Sequence, residues 1–402
     1  MSVQQKGRTA SLIDAFLEYL KVERVEVVYG IPGGLLHSFF EAVEHDEDIK
    51  LVVAKHEEGA AFMADGYARS GHRLGVCAGT SGPGATNLLT GVASAYSDSV
   101  PLLVITGQAD SRYLGKGAVQ ETTAEDMDIV GMFDPVTKYS ARVEAPGRLL
   151  HHLRFALRRA LTGRPGPVHL NIPVNFWRQS VEVEDFDPEK YRPKPRVFDR
   201  EAVKSAADAL TKARRPAILA GSGIQTSGAQ DELIRIVEQT NARVGTTPRG
   251  KGLFPEDHPM SMGSSALTWT FPPRALRHAG ETHGRSADGI DVLFAVGTSL
   301  GENATANWSS KLMPSETFIH LDIDVDRIGR NYPVDIPLLG DAKTTLNELY
   351  FHIERSLKER ELASEWEAQG EEALNERYRR MDLRHSDRTP VTPQRWITDT
   401  EP

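Results

Sequence analysis

The chain carries a single cysteine, Cys77, among its 402 residues. No disulfide can form within it, which excludes a disulfide-stapled secreted scaffold. Cys77 lies inside the apolar run Leu74–Ala78, where a thiol serves as a small core residue. No apolar run reaches the roughly 20 residues that a membrane-crossing helix needs. The N-terminus runs into an amphipathic pattern bearing Asp14 and Glu18, unlike the basic and apolar blocks of a secretory leader. The expectation is a soluble, cytoplasmic protein with no membrane partner. Positive charge is also short: 47 Lys and Arg stand against 56 Asp and Glu, for a net charge of −9. No nucleic-acid partner is expected from that balance, and the local cluster Arg154, Arg158 and Arg159 reads as a solvated helix face. Neither G-x-G-x-x-G nor the G-K-[ST] element of a P-loop occurs, so the two common nucleotide fingerprints are missing.

What is present is an ordinary globular composition, 40% hydrophobic and 26% charged, on a length that favours two or three domains. Leu12, Ile13, Phe16, Leu17 and Leu20 follow helical spacing behind Thr9 or Ser11 as cap. Strands are expected at 25–30, 51–54, 73–80, 101–108 and 167–173. Helices are expected at 57–70, ended by Gly71, and at 85–97 and 149–161. A second series follows: helix 202–212, strand 216–220 with its glycine turn, helix 229–240, and strands 291–297 and 317–324. The strands are continuous apolar runs instead of alternating ones. That pattern predicts α/β architecture: two doubly wound parallel-sheet domains, each covered by helices on both faces. The expected boundaries are 1–180 for the first domain, 181–199 for a Pro-rich, charged linker, 200–350 for the second domain and 351–402 for a charged helix and tail.

Three loops stand at the carboxyl ends of predicted strands, where open parallel sheets bind ligands. They are GIPGG (30–34), AKHEEGAA (54–61) and GTSGPGATN (79–87). Their glycines admit close backbone approach, and the helix starting near Ala85 offers free N–H groups. Each loop by itself is equally a simple strand–helix turn.

Together these loops resemble a known family. YGIPGG (29–34), KHEEGAAFMADGYAR (55–69), TSGPGATNLLTGVASAYSDSVPLLVITGQ (80–108) and TGRPGPVHLNIP (162–173) are similar to the pyrimidine-binding domain of thiamine-diphosphate-dependent enzymes of the acetolactate synthase large-subunit type. PEDHPMSMG (255–263), AVGTSLGE (295–302), HLDIDVDRIGRN (320–331) and GDAK (340–343) resemble the central, Rossmann-like domain of the same family. The resemblance spans about residues 8 to 350. It implies that thiamine diphosphate is the cofactor and that the reaction is decarboxylation or carboligation of a 2-keto acid.

The resemblance also implies residue roles. Glu57 would hydrogen-bond the N1′ nitrogen of the cofactor's aminopyrimidine and so promote deprotonation of the thiazolium C2, since a positioned carboxyl group can share a proton with a ring nitrogen. Read without the motif, Glu57 is an acidic residue in a helix's first turn, favoured by the dipole. Pro83 and Asn87 would contact the aminopyrimidine, with Gly82 and Gly84 shaping their loop. Gln120 would stand near the reacting centre, or else be a surface amide. Gly33 and His56 would face substrate, His56 being equally readable as a structural histidine, and Glu58 receives no role. Three departures stand out: Val174 and Asn175 where the family has a lysine after this strand, Val119 where phenylalanine is usual, and a stretch at 264–280 unlike the family's flavin-contacting segment. AGSG (220–223) is only a partial dinucleotide loop, so bound FAD is not implied.

Enzymes of this class anchor Mg²⁺ and the diphosphate through a G-D-G motif followed by an asparagine, because a hard cation bridging phosphate oxygens takes oxygen ligands in octahedral array. The chain contains no G-D-G, and PVTPQRWI (390–397) resembles the lead-in to the domain that would carry it. The expectation is therefore an absent third, diphosphate-binding domain and no metal ligand here. Mg²⁺ ligands would come from a partner domain, carried by a separate diphosphate-domain subunit if the enzyme is naturally split or by the rest of a longer chain if the sequence is truncated. A homo-oligomer, such a subunit, or both are the expected partners. The competing expectation is a non-catalytic regulatory or vestigial relative that binds a small molecule or a partner subunit.

Overall fold

Helix α1 (Leu12–Val22) begins where Ser11 accepts the Asp14 backbone N–H on its Oγ at 3.2 Å, satisfying one of the free donors of the first turn. Its buried residues Leu12, Ala15, Phe16, Tyr19 and Leu20 recur at helical spacing. Phe16 meets Phe39 and Trp177 edge-to-face, with ring centroids 5.9 and 5.3 Å away. The computed structural model describes residues 8–71, 74–183, 187–192, 198–264, 289–359 and 361–364. They fall into two compact units that divide between Pro195 and Arg196.

The first unit is built on strands β2 (Val27–Ile31), β3 (Lys50–Val53), β4 (Gly75–Gly79), β5 (Leu102–Gln108), β6 (Ser140–Arg142) and β7 (Val168–Pro173). Strand β1 (Arg8–Ser11) lies outside this sheet. All six strands run parallel in the order β3-β2-β4-β5-β7-β6. Alternation assigns the two faces. Val76, Ala78, Leu103 and Ile105 join α1 and α7 (Leu149–Leu161) in one core. Cys77, Leu102 and Val104 join α3 (Glu57–Gly71) and α5 (Leu89–Asp98) in the other. Sequence order reverses between β2 and β4, so the crevice outside their carboxyl ends is the topological switch point, where doubly wound sheets bind ligands.

Small residues let α3 sit unusually close to its neighbours. A methyl group added at Gly75 would fall 2.3 Å from the Ala64 carbonyl oxygen, and one at Gly91 would fall 2.6 Å from Ala61 Cβ. This fixes the depth of α3 against β4 and α5, and hence the position of its first residue, Glu57.

The second unit repeats the plan with β9 (Pro216–Ala220), β10 (Arg243–Thr246), β11 (Ser261–Ser264), β12 (Val292–Val296), β13 (Thr317–Asp322) and β14 (Ile336–Leu339), parallel in the order β11-β10-β9-β12-β13-β14. At its switch point the AGSG turn is filled by protein. A methyl group on Gly221 would lie 2.3 Å from the Gly297 carbonyl oxygen, and one on Gly223 2.7 Å from Gly297 Cα. These glycines serve backbone-on-backbone packing.

The stretch 181–199 starts as structure. Strand β8 (Ser180–Val183) pairs antiparallel with β1, Ser11 opposite Ser180. Beyond it, in the turn of helix Pro188–Tyr191, Tyr191 and Arg192 both donate to the buried Glu23 carboxylate. The start of the charged helix expected from 351 is the end of Ala342–Glu359, which packs on Arg200–Lys212. The segment 265–280, the remainder of the charged stretch from 365 and the motif at 390–397 lie outside the described residues. No helix among the described residues is long and apolar enough to cross a membrane.

Candidate active site

The three glycine-containing loops converge at the switch point of the first sheet. The loop after β2 meets the loop after β4 so closely that a methyl group on Gly33 would fall 2.5 Å from Thr80 Cβ. Gly33 itself is extended, at φ −152°, so its lack of a side chain matters for this contact and not for its backbone angle. The loop after β3 delivers Glu57 into the same crevice. A methyl group on Gly84 would lie 3.3 Å from Glu57 Oε1 and 2.7 Å from Thr80 Cγ2.

Glu57 is half-buried at the start of α3. Its Oε2 accepts a 2.9 Å hydrogen bond from Asn87 Nδ2, while Oε1 lies over the bare backbone of Gly84. The contact depends on a break in the helix expected over 85–97. A short helix α4 (Pro83–Thr86) ends at Asn87, and α5 restarts at Leu89, which places Asn87 at the junction. Gly82 has φ +61° and ψ −123°, a combination that a side chain strongly disfavours. Pro83 is exposed at the first turn of α4, where its missing N–H costs nothing.

The other expected site residues separate into neighbours and structural parts. His56 is exposed, and its Nδ1 accepts the Glu58 N–H at 3.2 Å, so it caps the start of α3. Gln120 is exposed, holds φ +56°, and brings Cγ to 3.8 Å from where a methyl group on Gly82 would sit. Val119 is 86% exposed. Asn175, the departure from the family's lysine, fastens the next loop: it accepts from Ser111 N–H at 3.0 Å and donates to Ser111 Oγ at 3.1 Å.

Sequence reasoning missed a buried polar relay behind the crevice. Ser81 Oγ meets Thr122 Oγ1 at 3.2 Å, and Gln108 Nε2 donates to Thr122 and to Asn171 Oδ1. Asn171 Nδ2 donates to Thr106 Oγ1, which contacts His169 Nε2 at 2.7 Å. All of these side chains are buried, and burial pushes His169 down to about 3. The relay ties the loop after β4 to β5 and β7. The available signal was the alternating polar residues Thr106, Gln108, His169 and Asn171 within the otherwise apolar strands β5 and β7. Among the described residues no group of His, Cys, Asp and Glu is placed to hold a metal. Cys77 is buried in β4 on the face covered by α3 and α5, its thiol pushed up to about 12.

Two family models match the chain. The N-terminal TPP binding domain of thiamine pyrophosphate enzymes covers residues 10–131, and the central domain of the same enzymes covers 203–349. A protein of Methanocaldococcus jannaschii named "Probable acetolactate synthase large subunit" is 36% identical over 96% of this chain and 62% of its own length. The acetolactate synthase large subunit of Corynebacterium glutamicum is 34% identical over 91% of this chain and 57% of its own length. The chain thus spans about three fifths of these relatives. A crystal structure of a protein described as a thiamin diphosphate-dependent enzyme from Mycobacterium smegmatis superimposes with a TM-score of 0.70 at 22% identity, over 86% of this chain and 63% of that one. That likeness is one of fold.

Proposed function

Since the chain belongs to the thiamine pyrophosphate enzyme family, we propose that its first unit binds and activates the aminopyrimidine end of thiamine diphosphate in an acetolactate-synthase-like carboligation of 2-keto acids. The carrying observation is the division of labour on Glu57: Asn87 engages Oε2, and Oε1 lies beside the bare backbone of Gly84, 3.3 Å from where an added methyl group would sit. A flat ring needs that bare backbone, and a ring nitrogen needs a carboxyl oxygen held in one orientation.

When bound, the cofactor supplies a nucleophilic thiazolium carbon and an electron sink for decarboxylation. The chain's own residues do the rest of the work assigned to this half-site. Glu57 holds and moves a proton at Oε1 against the pyrimidine nitrogen. Asn87 keeps the carboxyl plane fixed, Gly82 and Gly84 leave room for the ring, and Gln120 borders the reacting centre. His56 acts through the start of α3. A diphosphate-binding domain in the same assembly would supply the magnesium and diphosphate ligands, and the donor and acceptor would belong to the 2-keto-acid class.

The deciding experiment uses the chain together with a diphosphate-binding domain. Glu57→Gln keeps the shape and loses the proton-carrying oxygen, so pyruvate turnover falls at least about a hundredfold, the usual scale for a positioned acid or base. Near-normal turnover would remove Glu57 from the chemistry. Tight thiamine diphosphate binding by calorimetry without that domain would refute the shared site.

A further inference from the structure

Between β5 and the helix Ile129–Phe133 the chain makes a long excursion that ends beside the crevice. Its surface shows Tyr113, 52% exposed, and Val119, 86% exposed, yet three anchors hold it. At its start, Asn175 grips Ser111 through both amide atoms. At its far end, Thr122 N–H donates to Gln108 Oε1 at 3.1 Å, and Gln108 Nε2 donates back to the Thr122 carbonyl at 2.9 Å. In the middle the buried carboxylate of Glu121 accepts from the N–H of Gly115 and, at 3.0 Å, of Ala118.

Gly115 at φ +77° and Gly117 at φ +72° bend the backbone around that carboxylate, forming a concave nest of amides suited to an anion. Gln120, the residue just before the anchors, is the one residue of this loop with a side chain that holds a positive φ. A glutamine left to itself avoids that conformation. It persists here because the two following residues are pinned, Glu121 to the nest and Thr122 to Gln108. Strain held in this way clusters at functional sites, and its effect is to lay the Gln120 side chain over Gly82.

We propose that Glu121 is a positioning residue, whose carboxylate closes the 115–121 loop so that Gln120 is held against the Gly82 turn at the rim of the cofactor crevice. The proposal rests on the function assigned above to that crevice. The Gly115 amide, followed by that of Ala118, holds the Glu121 carboxyl below the usual carboxylate range, as a carboxylate closed in by N–H donors should be.

Glu121→Gln keeps the size but replaces one accepting oxygen with an NH₂ that cannot receive a backbone N–H. On the full chain, hydrogen exchange at the Gly115 and Ala118 amides is expected to quicken at least tenfold, with no cofactor needed for this readout. Unchanged exchange overturns the proposal. Calorimetry with thiamine diphosphate and Mg²⁺, on the chain with its diphosphate-binding domain, then completes a double-mutant cycle. Glu121→Gln and Gln120→Ala should each weaken binding severalfold, and the double variant should be no worse than Gln120→Ala alone, because one residue acts through the other. Fully additive losses overturn the positioning role. Faster exchange with undiminished binding in Gln120→Ala would support the tie between Glu121 and its loop while striking Gln120 from the proposed site. If Glu121→Gln misfolds, Glu121→Asp, which keeps the charge one methylene further back, is expected to show intermediate exchange; exchange identical to the parent chain would again overturn the proposal.

Discussion

Asn87 donates its side-chain amide to Glu57 Oε2 at 2.9 Å across 30 positions of sequence, and this bond joins the first residue of α3 to the junction between α4 and α5. Glu57 has three χ angles and stands half-exposed at a helix start, so the dipole alone would stabilise it in several orientations. The amide selects one of them. It also leaves the second carboxyl oxygen beside Gly84, 3.3 Å from where an added methyl group would sit.

Removing that amide tests whether orientation matters apart from charge. Asn87→Ala leaves Glu57 intact but lets it rotate, and a hydrogen bond to a charged group is worth about 1.5–3 kcal/mol. Thiamine diphosphate affinity, measured by calorimetry in the complete assembly, should fall roughly ten- to a hundredfold. Asn87→Asp should be worse, because a second carboxylate at hydrogen-bond distance repels the first. An Asn87→Asp protein that binds as tightly as the parent would sink the pairing.

Much of this arrangement was legible in the sequence, for physical reasons. The continuous apolar strands and the glycine turns at their ends predict a doubly wound parallel sheet with its ligand crevice at 30–34, 54–61 and 79–87, and Ser11 marks the first helix by its capping chemistry. What stayed hidden depends on distant partners. Strand β8 looks like linker because its pairing partner, β1, lies at the other end of the unit. The polar relay from Ser81 to His169 is invisible until β4, β5 and β7 are side by side. Glu121 gives no local signal either, since its acceptor role depends on a loop closed by two left-handed glycines.

His169 makes stability depend on pH. Ser140 Oγ donates to the Val130 carbonyl, so it accepts from His169 Nδ1–H, and Nε2 must then accept from Thr106 Oγ. A second ring proton has no acceptor without breaking the relay. Burial lowers the folded-state value from 6.5 to about 3, so the unfolded chain binds the proton first as pH falls. The stabilisation is fully present above about pH 6.5 and is lost as pH drops from there toward 3. The steepest slope for one proton is about 1.4 kcal/mol per pH unit. Urea unfolding between pH 7 and 4.5 should show this slope in the parent chain and a shallower one in His169→Gln. Parallel curves would mean that His169 titrates normally.

The crevice itself is tested most directly at Gly84, where space and backbone can be separated. Gly84 sits in the first turn of α4 and has no positive φ, so a side chain there meets no conformational penalty. What it meets is atoms: an added methyl group would lie 2.7 Å from Thr80 Cγ2 and 3.3 Å from Glu57 Oε1. The Thr80 contact forces a shift of a few tenths of an ångström or more, and overpacking of this kind costs about 1–3 kcal/mol. Gly84→Ala should therefore fold with a modestly lowered melting temperature. Its larger effect should fall on thiamine diphosphate binding, because the methyl group takes up space beside Oε1, where the proposed function seats the ring. The double variant Gly84→Ala with Thr80→Ser, which removes the clashing Cγ2, should recover stability without recovering binding. Recovery of both would mean that Gly84 serves only the packing of α4 against Thr80, and that the ring lies elsewhere.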